Sequence, residues 1–437
     1  MALILILCFS FLTQGLTVSN EKNDINNKST LRLSSTSNSV KFSWYCIWDL
    51  AQEGGEGVAV DSSGNIYLVG WTYNATLTDM VLVKYDSSGV QQWNRTWGGS
   101  ISDGGEDVAV DSSDNVYLAG KTSSFGEGDY DMVLVKYDSS GVQQWNRTWG
   151  GSIRDDGYGV AFDSSDNVYL VGSTFSYGEG YDDIVLVKYN SSGVQQWNRT
   201  WGGSGSDGGR GVAVDSSDNV YLSGETKNFG EGNYDMVLVK YDSSGVQQWN
   251  RTWGGSSSDE GTGVAVDSSD NLYLSGSTES FGEGNYDIVL VKYDGTGVQQ
   301  WNRTWGGIIR DESYGVAVDS ANRIYLAGRT NSFGEGSDDI VLVKYDSSGM
   351  QQGDQTWGGV SGDGGTGVAI DSSNNVYLSG YTESYGGPGS SMALVKYVQE
   401  QGISSYNLFL FIIIIGAITV ITAISLKKKY YKKFLLE

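Results

Sequence analysis

The chain has 437 residues, with 28 Lys and Arg against 52 Asp and Glu, so its formal net charge at pH 7 is −24. It contains no histidine, which excludes histidine-based metal sites, catalytic triads and histidine acid–base catalysis. A surface this acidic repels nucleic acid and anionic lipid, so neither is expected as a partner.

The N-terminal region is typical of an exported chain. Residues 2–12 form an apolar run that is too short to cross a bilayer, and small residues follow it, so residues 1–19 are predicted to be a signal peptide. Residues 20–39 are polar and have little to bury, which predicts a flexible spacer. In the mature chain Cys46 is then the only cysteine, so no intrachain disulfide is expected.

One segment recurs seven times, and its period predicts the fold class. The spacing between successive copies is 50 residues once and then 52 residues five times. A fixed period of this length is typical of solenoids, propellers and arrays. The valines that open the copies are Val58, Val108, Val160, Val212, Val264, Val316 and Val368.

A complete copy contains four short apolar runs separated by Gly, Ser, Asp and Asn. In the second copy these runs cover residues 108–111, 115–120, 131–137 and 142–149. Their Val, Tyr, Leu and Trp content predicts four β-strands. Repeated around a ring, such a unit predicts four-stranded antiparallel blades.

The count of strands predicts how the ring closes. The fourth strand, marked by a W-x-x-x-W pair, follows only the first six copies. The missing strand is predicted at residues 40–48, where Trp44 and Trp48 precede the first copy. This N-terminal strand clasp would remove the open sheet edge of the last blade. Residues 40–398 are therefore predicted to form an all-β, seven-bladed β-propeller, which we expect to be monomeric.

The repeat resembles a known family. The strings VAVDSSDNVYLAGKT at residues 108–122 and DMVLVKYDSSGVQQWNRTWGG at residues 131–151 are similar to the β-propeller repeat (SBBP) family of bacteria and archaea, and the layout also resembles NHL repeats. The resemblance covers about residues 40–398. It implies a propeller in a surface or secreted protein. It implies no particular activity, because one fold hosts many functions.

The C-terminal region predicts a membrane anchor. After a linker at residues 399–407, residues 408–426 contain no charge, and their length is enough for a transmembrane helix. Residues 427–437 form a lysine-rich tail, which is expected to stay in the cytoplasm and leave the propeller outside the cell membrane. Whether the helix is kept or removed by a sorting enzyme stays open at this point.

The two faces of the predicted disc differ in how much the copies vary. The first-to-second and third-to-fourth turns, which form the turn face, are nearly identical in all copies. Two positions on the opposite, loop-rich face change character from copy to copy. One follows the Gly that ends the second strand: Trp71, Lys121, Ser173, Glu225, Ser277, Arg329 and Tyr381. The other lies two residues before each opening valine: Glu56, Glu106, Tyr158, Arg210, Thr262, Tyr314 and Thr366.

These variable positions predict a ligand surface, with relaxed constraint in loops as the alternative. Trp71 and Tyr381 belong to neighbouring blades 1 and 7, the two blades that lack the Gly-Glu-Gly loop of the others. An aromatic pair there would suit stacking on a sugar or gripping a peptide, and the alternative is irregularity where the ring closes. The predicted binding residues are Trp71, Tyr381, Tyr158, Arg210 and Tyr314.

In every copy an acidic residue lies five residues before the opening valine. One interpretation is a sevenfold carboxylate circle near the mouth of the central channel that binds Ca²⁺ or a cationic ligand. The other is that each carboxylate caps its own Gly-rich turn. The residues are Glu53, Asp103, Asp155, Asp207, Asp259, Asp311 and Asp363.

Asparagines in N-x-S/T sequons are candidate glycosylation sites in an exported protein. Most of them lie between the two tryptophans of the outer strand. They are Asn74, Asn94, Asn146, Asn198, Asn250 and Asn302.

Taken as a whole, the sequence predicts a membrane-anchored, extracytoplasmic propeller that binds or scaffolds a glycan, peptide or protein at the cell surface, without enzyme activity. The alternative is an exported hydrolase or lyase that uses carboxylates of the loop-rich face. An enzyme of that kind needs two or more acids converging in a concave pocket.

Overall fold

The computed structural model describes residues 16–21, 30–35, 40–49, 52–73 and 76–399. It divides the chain into two compact units, Met1–Lys41 with Gln399–Glu437, and Phe42–Val398.

Two short strands lie in the N-terminal part of the first unit. β1 (Leu16–Glu21) and β2 (Thr30–Ser35) pair antiparallel, with Leu16 opposite Ser35. The polar spacer predicted over residues 20–39 therefore contains strand residues. The reason is local, because the Thr-Leu-Arg-Leu segment of β2 alternates polar and apolar side chains as a strand does.

The remaining strands form seven sheets of four strands each, which we number as blades. The first of them, β3 (Val40–Trp48), precedes the repeats. Blade 1 contains β4 (Glu53–Val60), β5 (Ile66–Tyr73), β6 (Thr78–Tyr85) and β7 (Gln91–Trp97). Blade 2 contains β8 (Asp103–Val110), β9 (Val116–Thr122), β10 (Asp131–Tyr137) and β11 (Gln143–Trp149). Blade 3 contains β12 (Asp155–Phe162), β13 (Val168–Thr174), β14 (Asp183–Tyr189) and β15 (Gln195–Trp201).

Blades 4 to 7 repeat this arrangement. Blade 4 contains β16 (Asp207–Val214), β17 (Val220–Thr226), β18 (Asp235–Tyr241) and β19 (Gln247–Trp253), and blade 5 contains β20 (Asp259–Val266), β21 (Leu272–Thr278), β22 (Asp287–Tyr293) and β23 (Gln299–Trp305). Blade 6 contains β24 (Asp311–Val318), β25 (Ile324–Thr330), β26 (Asp339–Tyr345) and β27 (Gln351–Trp357). Blade 7 contains β28 (Asp363–Ile370), β29 (Val376–Thr382), β30 (Ser391–Gln399) and β3.

The topology confirms the predicted seven-bladed propeller and its clasp. In blades 1 to 6 the strands pair in chain order, while blade 7 is ordered β28, β29, β30 and then β3. The first strands of successive blades contact one another, and β28 contacts β4. The ring is therefore closed, because the strand at residues 40–48 covers the edge that blade 7 would otherwise expose.

Apolar side chains pack between neighbouring blades. Tyr67 and Leu82 of blade 1, for example, are buried against Val116 and Val133 of blade 2. Blades 7 and 1 are joined in the same way, and Lys396 Nζ also donates a hydrogen bond of 3.0 Å to the Ser87 carbonyl across this seam. The seam is thus an ordinary blade interface.

Adjacent turns on the turn face are joined by hydrogen bonds. The Ser62 amide and hydroxyl donate to the carboxylate of Asp114 in the next blade, at 3.0 and 2.9 Å. Asp114 adopts φ 62°, a left-handed conformation that Asp and Asn tolerate. The same contact joins Ser112 to Asp166, Ser164 to Asp218, Ser216 to Asp270, Ser268 to Asn322 and Ser320 to Asn374. These contacts explain why the turns of this face hardly vary.

Every first strand contains a β-bulge, which the sequence runs did not reveal. In β4, Gly55 lies opposite Gly70 and Gly57 lies opposite Val69, so Glu56 has no cross-strand partner. All seven first strands share this register shift. Because pairing continues beyond the bulge, these strands begin five residues before the predicted start, at the acidic residue of each copy.

Within the described ranges there is no helix of the length and apolar character that a membrane crossing requires. The helix predicted at residues 408–426, residues 400–407 of the predicted linker and the lysine-rich tail lie outside those ranges, and so do residues 1–15 of the predicted signal peptide. Gln399, the first residue of the predicted linker, is the last residue of β30.

Candidate functional site

A cavity of about 430 Å³ lies at the mouth of the central channel. The start of each first strand forms its walls, so it opens on the loop-rich face. A narrower channel space of about 220 Å³ shares several of its lining residues. The cavity is lined by Glu56, Glu106, Tyr158, Arg210, Glu225, Glu260, Thr262, Tyr314, Arg329, Gly364, Gly365, Thr366 and Tyr381. We call this space the mouth cavity.

The β-bulge explains why one variable position faces the cavity. The unpaired bulge residue is the one two places before the opening valine, as Glu56 is in blade 1 and Tyr158 in blade 3. A bulge turns its extra side chain away from the regular alternation of the strand. All seven of these residues line the mouth cavity and the channel. A backbone feature common to every blade therefore presents side chains of four different types, Glu, Tyr, Arg and Thr, around the ring.

The second variable position lies directly across the strand pair from a third position, four residues before each opening valine, which sequence reasoning missed. Trp71 lies opposite Gly54 and Tyr381 opposite Gly364. A Cβ atom on Gly54 would lie 2.5 Å from the Trp71 indole nitrogen, so the large side chain needs the glycine. In blades 3, 5 and 6 the residue opposite the second variable position is acidic. Asp156 lies opposite Ser173, Glu260 opposite Ser277 and Glu312 opposite Arg329. The signal was available, because this position also varies between copies.

Basic groups at the mouth are held by acidic partners. Lys121 Nζ lies 2.7 Å from a Glu106 oxygen, and Arg210 lies 2.9 Å from Glu225. Arg329 lies 2.5 Å from Glu312. These pairs are half-buried, where each partner limits the cost of desolvating the other.

Two of the arginines also stack on tyrosines. The Arg210 guanidinium lies 4.6 Å from the Tyr158 ring centre, and that of Arg329 lies 5.5 Å from the Tyr314 ring centre. The Tyr314 hydroxyl donates to Glu312 at 2.8 Å. The rings and charges thus hold one another in place, which gives the cavity walls a defined shape.

Glu56 has an unusual environment for a carboxyl group. Burial raises its pKa to about 8, and the neighbouring charge of Glu106 adds to the rise. The Trp71 indole N–H, which donates to Glu56 at 3.2 Å, and Lys121 oppose the shift. Burial and Glu225 also raise the pKa of Glu260, while Arg210 opposes that rise. Both groups therefore hold a proton more tightly than an exposed glutamate does.

The predicted binding residues are brought together only in part. Tyr158, Arg210, Tyr314 and Tyr381 line the mouth cavity. Trp71 is half-buried and lies outside its lining, where it packs over Gly54 and donates to Glu56. The cavity wall is formed mainly by blades 4 to 7, and blades 1, 2 and 3 each contribute one residue.

The seven acidic residues do not form an open circle at the channel mouth, because every one of them is fully buried. Asp103 accepts hydrogen bonds from the Thr122 hydroxyl, from the Gly99 amide at 2.8 Å and from the Ser124 hydroxyl at 2.7 Å. Asp155, Asp207, Asp259, Asp311 and Asp363 likewise accept a backbone N–H of the Gly-Gly turn before them. These are the bonds expected of the turn-capping alternative.

Glu53 is also fully buried, and its backbone N–H donates to the Ser390 carbonyl at 2.9 Å. In the part of the chain that the structure describes, no group of three or more Cys, Asp or Glu side chains has the geometry of a metal site.

Asp107 is a further channel residue that sequence reasoning missed. The other six blades have glycine at this place. Its carboxylate accepts the Val108 N–H at 2.8 Å and the Val160 N–H of the next blade at 2.9 Å. Burial raises its pKa to about 6. It thereby bonds blades 2 and 3 together inside the channel.

Most of the sequon asparagines lie on outer strands. Asn94, Asn146, Asn198, Asn250 and Asn302 are exposed there, and Asn74 lies outside the described residues.

Comparison with solved structures gives propellers of low sequence identity. The Drosophila Plexin A structure in complex with Semaphorin 1b is 9% identical, with a TM-score of 0.46 over 82% of this chain and 87% of that one. The polysaccharide lyase Uly1 is 9% identical, with a TM-score of 0.48 over 87% and 94%. The gluconolactonase XC5397 from Xanthomonas campestris is 11% identical, with a TM-score of 0.41 over 88% and 94%. These likenesses concern the fold alone.

Sequence comparisons are more specific. The chain is 29% identical over 145 residues to the regulatory protein FlaEY of Caulobacter vibrioides, a stretch that covers 30% of this chain and 15% of that protein. Residues 55–76, 147–177, 248–282 and 309–334 match the family model described as beta-propeller repeat, SBBP. All four matches lie within the seven-bladed propeller, so the chain contains SBBP beta-propeller repeats.

Proposed function

We propose that this protein is a binding module that captures a ligand in the mouth cavity on the outside of the cell. The observation that carries the proposal is the location of the variation between copies. The repeats are nearly identical on the turn face and in the interblade core, yet the bulge position, which varies from blade to blade, lines one cavity in all seven blades, joined by Glu225, Arg329 and Tyr381 of the second variable position.

The framework supports such a role. Interblade cores and the contacts of the turn face hold the blades in one ring, so the mouth side chains are presented from a rigid base. Preformed sites of this kind lose less conformational entropy when a ligand binds. A cavity of about 430 Å³ is large enough for a sugar unit or for one or two side chains of a peptide.

The proposed location follows from the two ends of the chain. A signal peptide at residues 1–19 would export the protein, and a helix at residues 408–426 would anchor it. The lysines after residue 426 would keep the tail in the cytoplasm. The propeller would then display the mouth cavity extracytoplasmically as a monomer.

Binding can be tested with the full-length chain on a combined glycan and peptide array. Tyr381→Ala removes an aromatic wall of the cavity, and we expect it to weaken binding of the selected ligand by roughly 1 to 3 kcal/mol without changing the melting temperature. Tyr181→Ala is the matched control, because Tyr181 is 73% exposed on a loop outside the cavity. Equal affinity of the parent and Tyr381→Ala would contradict binding in the mouth cavity.

Glu56 and Glu106 support a second candidate function, an exported hydrolase or lyase. Both carboxyl groups line the same concave cavity. Glu56, with a pKa of about 8, would be protonated at neutral pH beside an acid that is paired with Lys121. Two carboxyl groups in unlike environments within one cavity are the components from which general acid and base catalysis is built. Turnover of array ligands that is lost in both Glu56→Gln and Glu106→Gln, with binding retained, would favour this alternative.

A further inference from the structure

We propose that the ligand carries an alkylammonium group, and that the carboxyl groups of Glu260 and Glu56 bind it in the mouth cavity. This inference rests on the proposed binding function and specifies the chemistry of the ligand.

The first argument is the pairing of charges. The three basic groups nearest the cavity, Lys121, Arg210 and Arg329, are each bound by a carboxylate of their own. Among the described residues, Glu56 and Glu260 form no such ion pair. Glu56 accepts from the Trp71 indole at 3.2 Å, and Glu260 accepts a long hydrogen bond of 3.4 Å from Tyr286. Acceptor capacity for a cation therefore remains on these two side chains.

The second argument is the cost of leaving these carboxyl groups without a cation. Both lie at a half-buried site, and burial together with neighbouring acids disfavours their ionised forms. A ligand cation would offset that cost directly, whereas a neutral ligand would leave it in place. An anionic ligand would find the two lining arginines, Arg210 and Arg329, already paired with carboxylates, and the net charge of −24 would repel it.

The third argument is the aromatic content of the walls. Tyr158, Tyr314 and Tyr381 line the cavity, and two of these rings already carry an arginine guanidinium on their faces. Tyrosine faces attract cations through the ring quadrupole.

The test is a calorimetric titration of the full-length chain at neutral pH with three probes of equal length: 1-aminopentane, pentan-1-ol and pentanoate. We expect the amine to bind at least tenfold more tightly than the alcohol or the acid. Glu260→Gln should weaken amine binding at least tenfold. Asp354→Asn is the matched control, because it removes the same charge from an exposed position on an outer strand and should leave the affinity unchanged.

Two further probes separate the sources of such a group. If 1,5-diaminopentane binds more tightly than Nα-acetyl-lysine amide, the ligand is assigned as a free diamine. If the order is reversed, the ligand is assigned as a lysine side chain of a peptide. Either order supports the proposal. Should Glu260→Gln fail to fold, Glu56→Gln replaces it with the same expected loss, because glutamine can still accept the Trp71 hydrogen bond.

The proposal is overturned if the alcohol binds as tightly as the amine, or if a folded Glu260→Gln variant binds the amine with unchanged affinity. A third outcome separates this inference from the binding function. If a neutral array ligand binds more weakly to Tyr381→Ala and 1-aminopentane does not bind, this inference is overturned and the binding function stands. An array ligand that is indifferent to Tyr381→Ala would contradict the binding function itself.

Discussion

In blades 1 to 6, the glycine that follows the last tryptophan of the outer strand lies between two carboxylates. In blade 4, a Cβ atom on Gly254 would overlap Oδ1 of Asp235 and lie 2.7 Å from Oδ2 of Asp259. Both aspartates are buried, and Asp259 also accepts the Gly255 amide at 2.8 Å. Since neither carboxylate can withdraw without losing its hydrogen bonds, this position requires glycine.

We therefore expect Gly254→Ala to lower the free energy of unfolding by about 2 to 3 kcal/mol, as overpacking of a tight site does. Chemical denaturation measures the loss. Gly104→Ala is the control, because a Cβ atom there would come no closer than 3.7 Å to another atom, and its backbone is not left-handed. Equal stability of the two variants would show that the carboxylates can move aside.

The carboxyl group of Glu56 should make stability depend on pH. Its folded-state pKa of about 8 lies above the ordinary value of 4.5, so the folded state favours the protonated form. Its contribution to stability is then complete below about pH 4.5 and is lost as the pH rises through about 8. The groups that face it are Glu106 and Lys121 of blade 2 and Trp71 of its own blade.

Glu56→Gln should reduce the fall in unfolding free energy between pH 5 and pH 9, by about 2 kcal/mol once solvent screening at this half-buried site is allowed for. Parallel denaturation series of the parent and the variant give the difference. Asp354→Asn should follow the parent curve. If Glu56→Gln followed it as well, Glu56 would not be the group that titrates.

At the scale of single elements, β3 is the strand that completes the ring. Trp48 is 6% exposed, and the ring of Trp44 lies 6.2 Å from that of Tyr377. The Lys396 ammonium lies 5.5 Å from the Trp44 ring centre. Removal of this strand would expose the edge of β30 and the apolar surface beneath these tryptophans.

We expect a chain that lacks residues 1–48 to be less stable than one that lacks residues 1–39 by more than about 5 kcal/mol. Loss of the buried Trp48 alone would cost about 3 to 5 kcal/mol, and the half-buried Trp44 and the exposed edge of β30 add to that loss. Thermal melts of the two truncated chains make the comparison. Equal midpoints would mean that blade 7 does not need its fourth strand.

The turn-face contacts are interrupted at a single seam. Six serines donate to an Asp or Asn of the next blade, but the corresponding residue of blade 1 is Gly64. Gly64 has φ 80°, close to the φ 62° of Asp114, and a Cβ atom there would meet nothing nearer than 3.7 Å. Aspartate therefore fits this backbone, and its carboxylate would come within reach of Ser372 of blade 7.

We expect Gly64→Asp to raise the melting temperature slightly, with a gain of about 0.5 to 1 kcal/mol from the new hydrogen bonds. Gly64→Ala is the control, since it has the same backbone cost without an acceptor. A Gly64→Asp variant that is no more stable than Gly64→Ala would show that the contact contributes nothing at this seam.

At the scale of the whole molecule, the proposal to test is that residues 408–426 anchor the chain in the membrane. The full-length chain should partition with membranes, and a chain that ends at residue 400 should be soluble, because residues 408–426 carry no charge and can span the hydrocarbon core. Protease added to intact cells should degrade the propeller and spare the lysine-rich tail. Protection of the propeller would reverse the orientation.

Much of the architecture was predictable, because repetition, turn chemistry and strand patterns are local properties. The seven copies predicted seven blades, and the unmatched Trp44 and Trp48 predicted the clasp. Four of the five predicted binding residues line the mouth cavity, on the face where the copies vary. Trp71 lies outside that lining, because it packs over Gly54 and donates to Glu56, and only the tertiary structure shows that contact.

By itself the sequence determined the number of blades, the closing strand and the face on which the copies differ, since each follows from the order and spacing of residues along the chain. The tertiary structure alone decided which side chains meet. Burial of Asp103 and its equivalents, the bulge that turns Glu56 inward and the place of Glu260 opposite Ser277 all depend on pairing between strands. The mouth cavity exists only after the ring has closed, because its walls come from blades that are far apart in the chain.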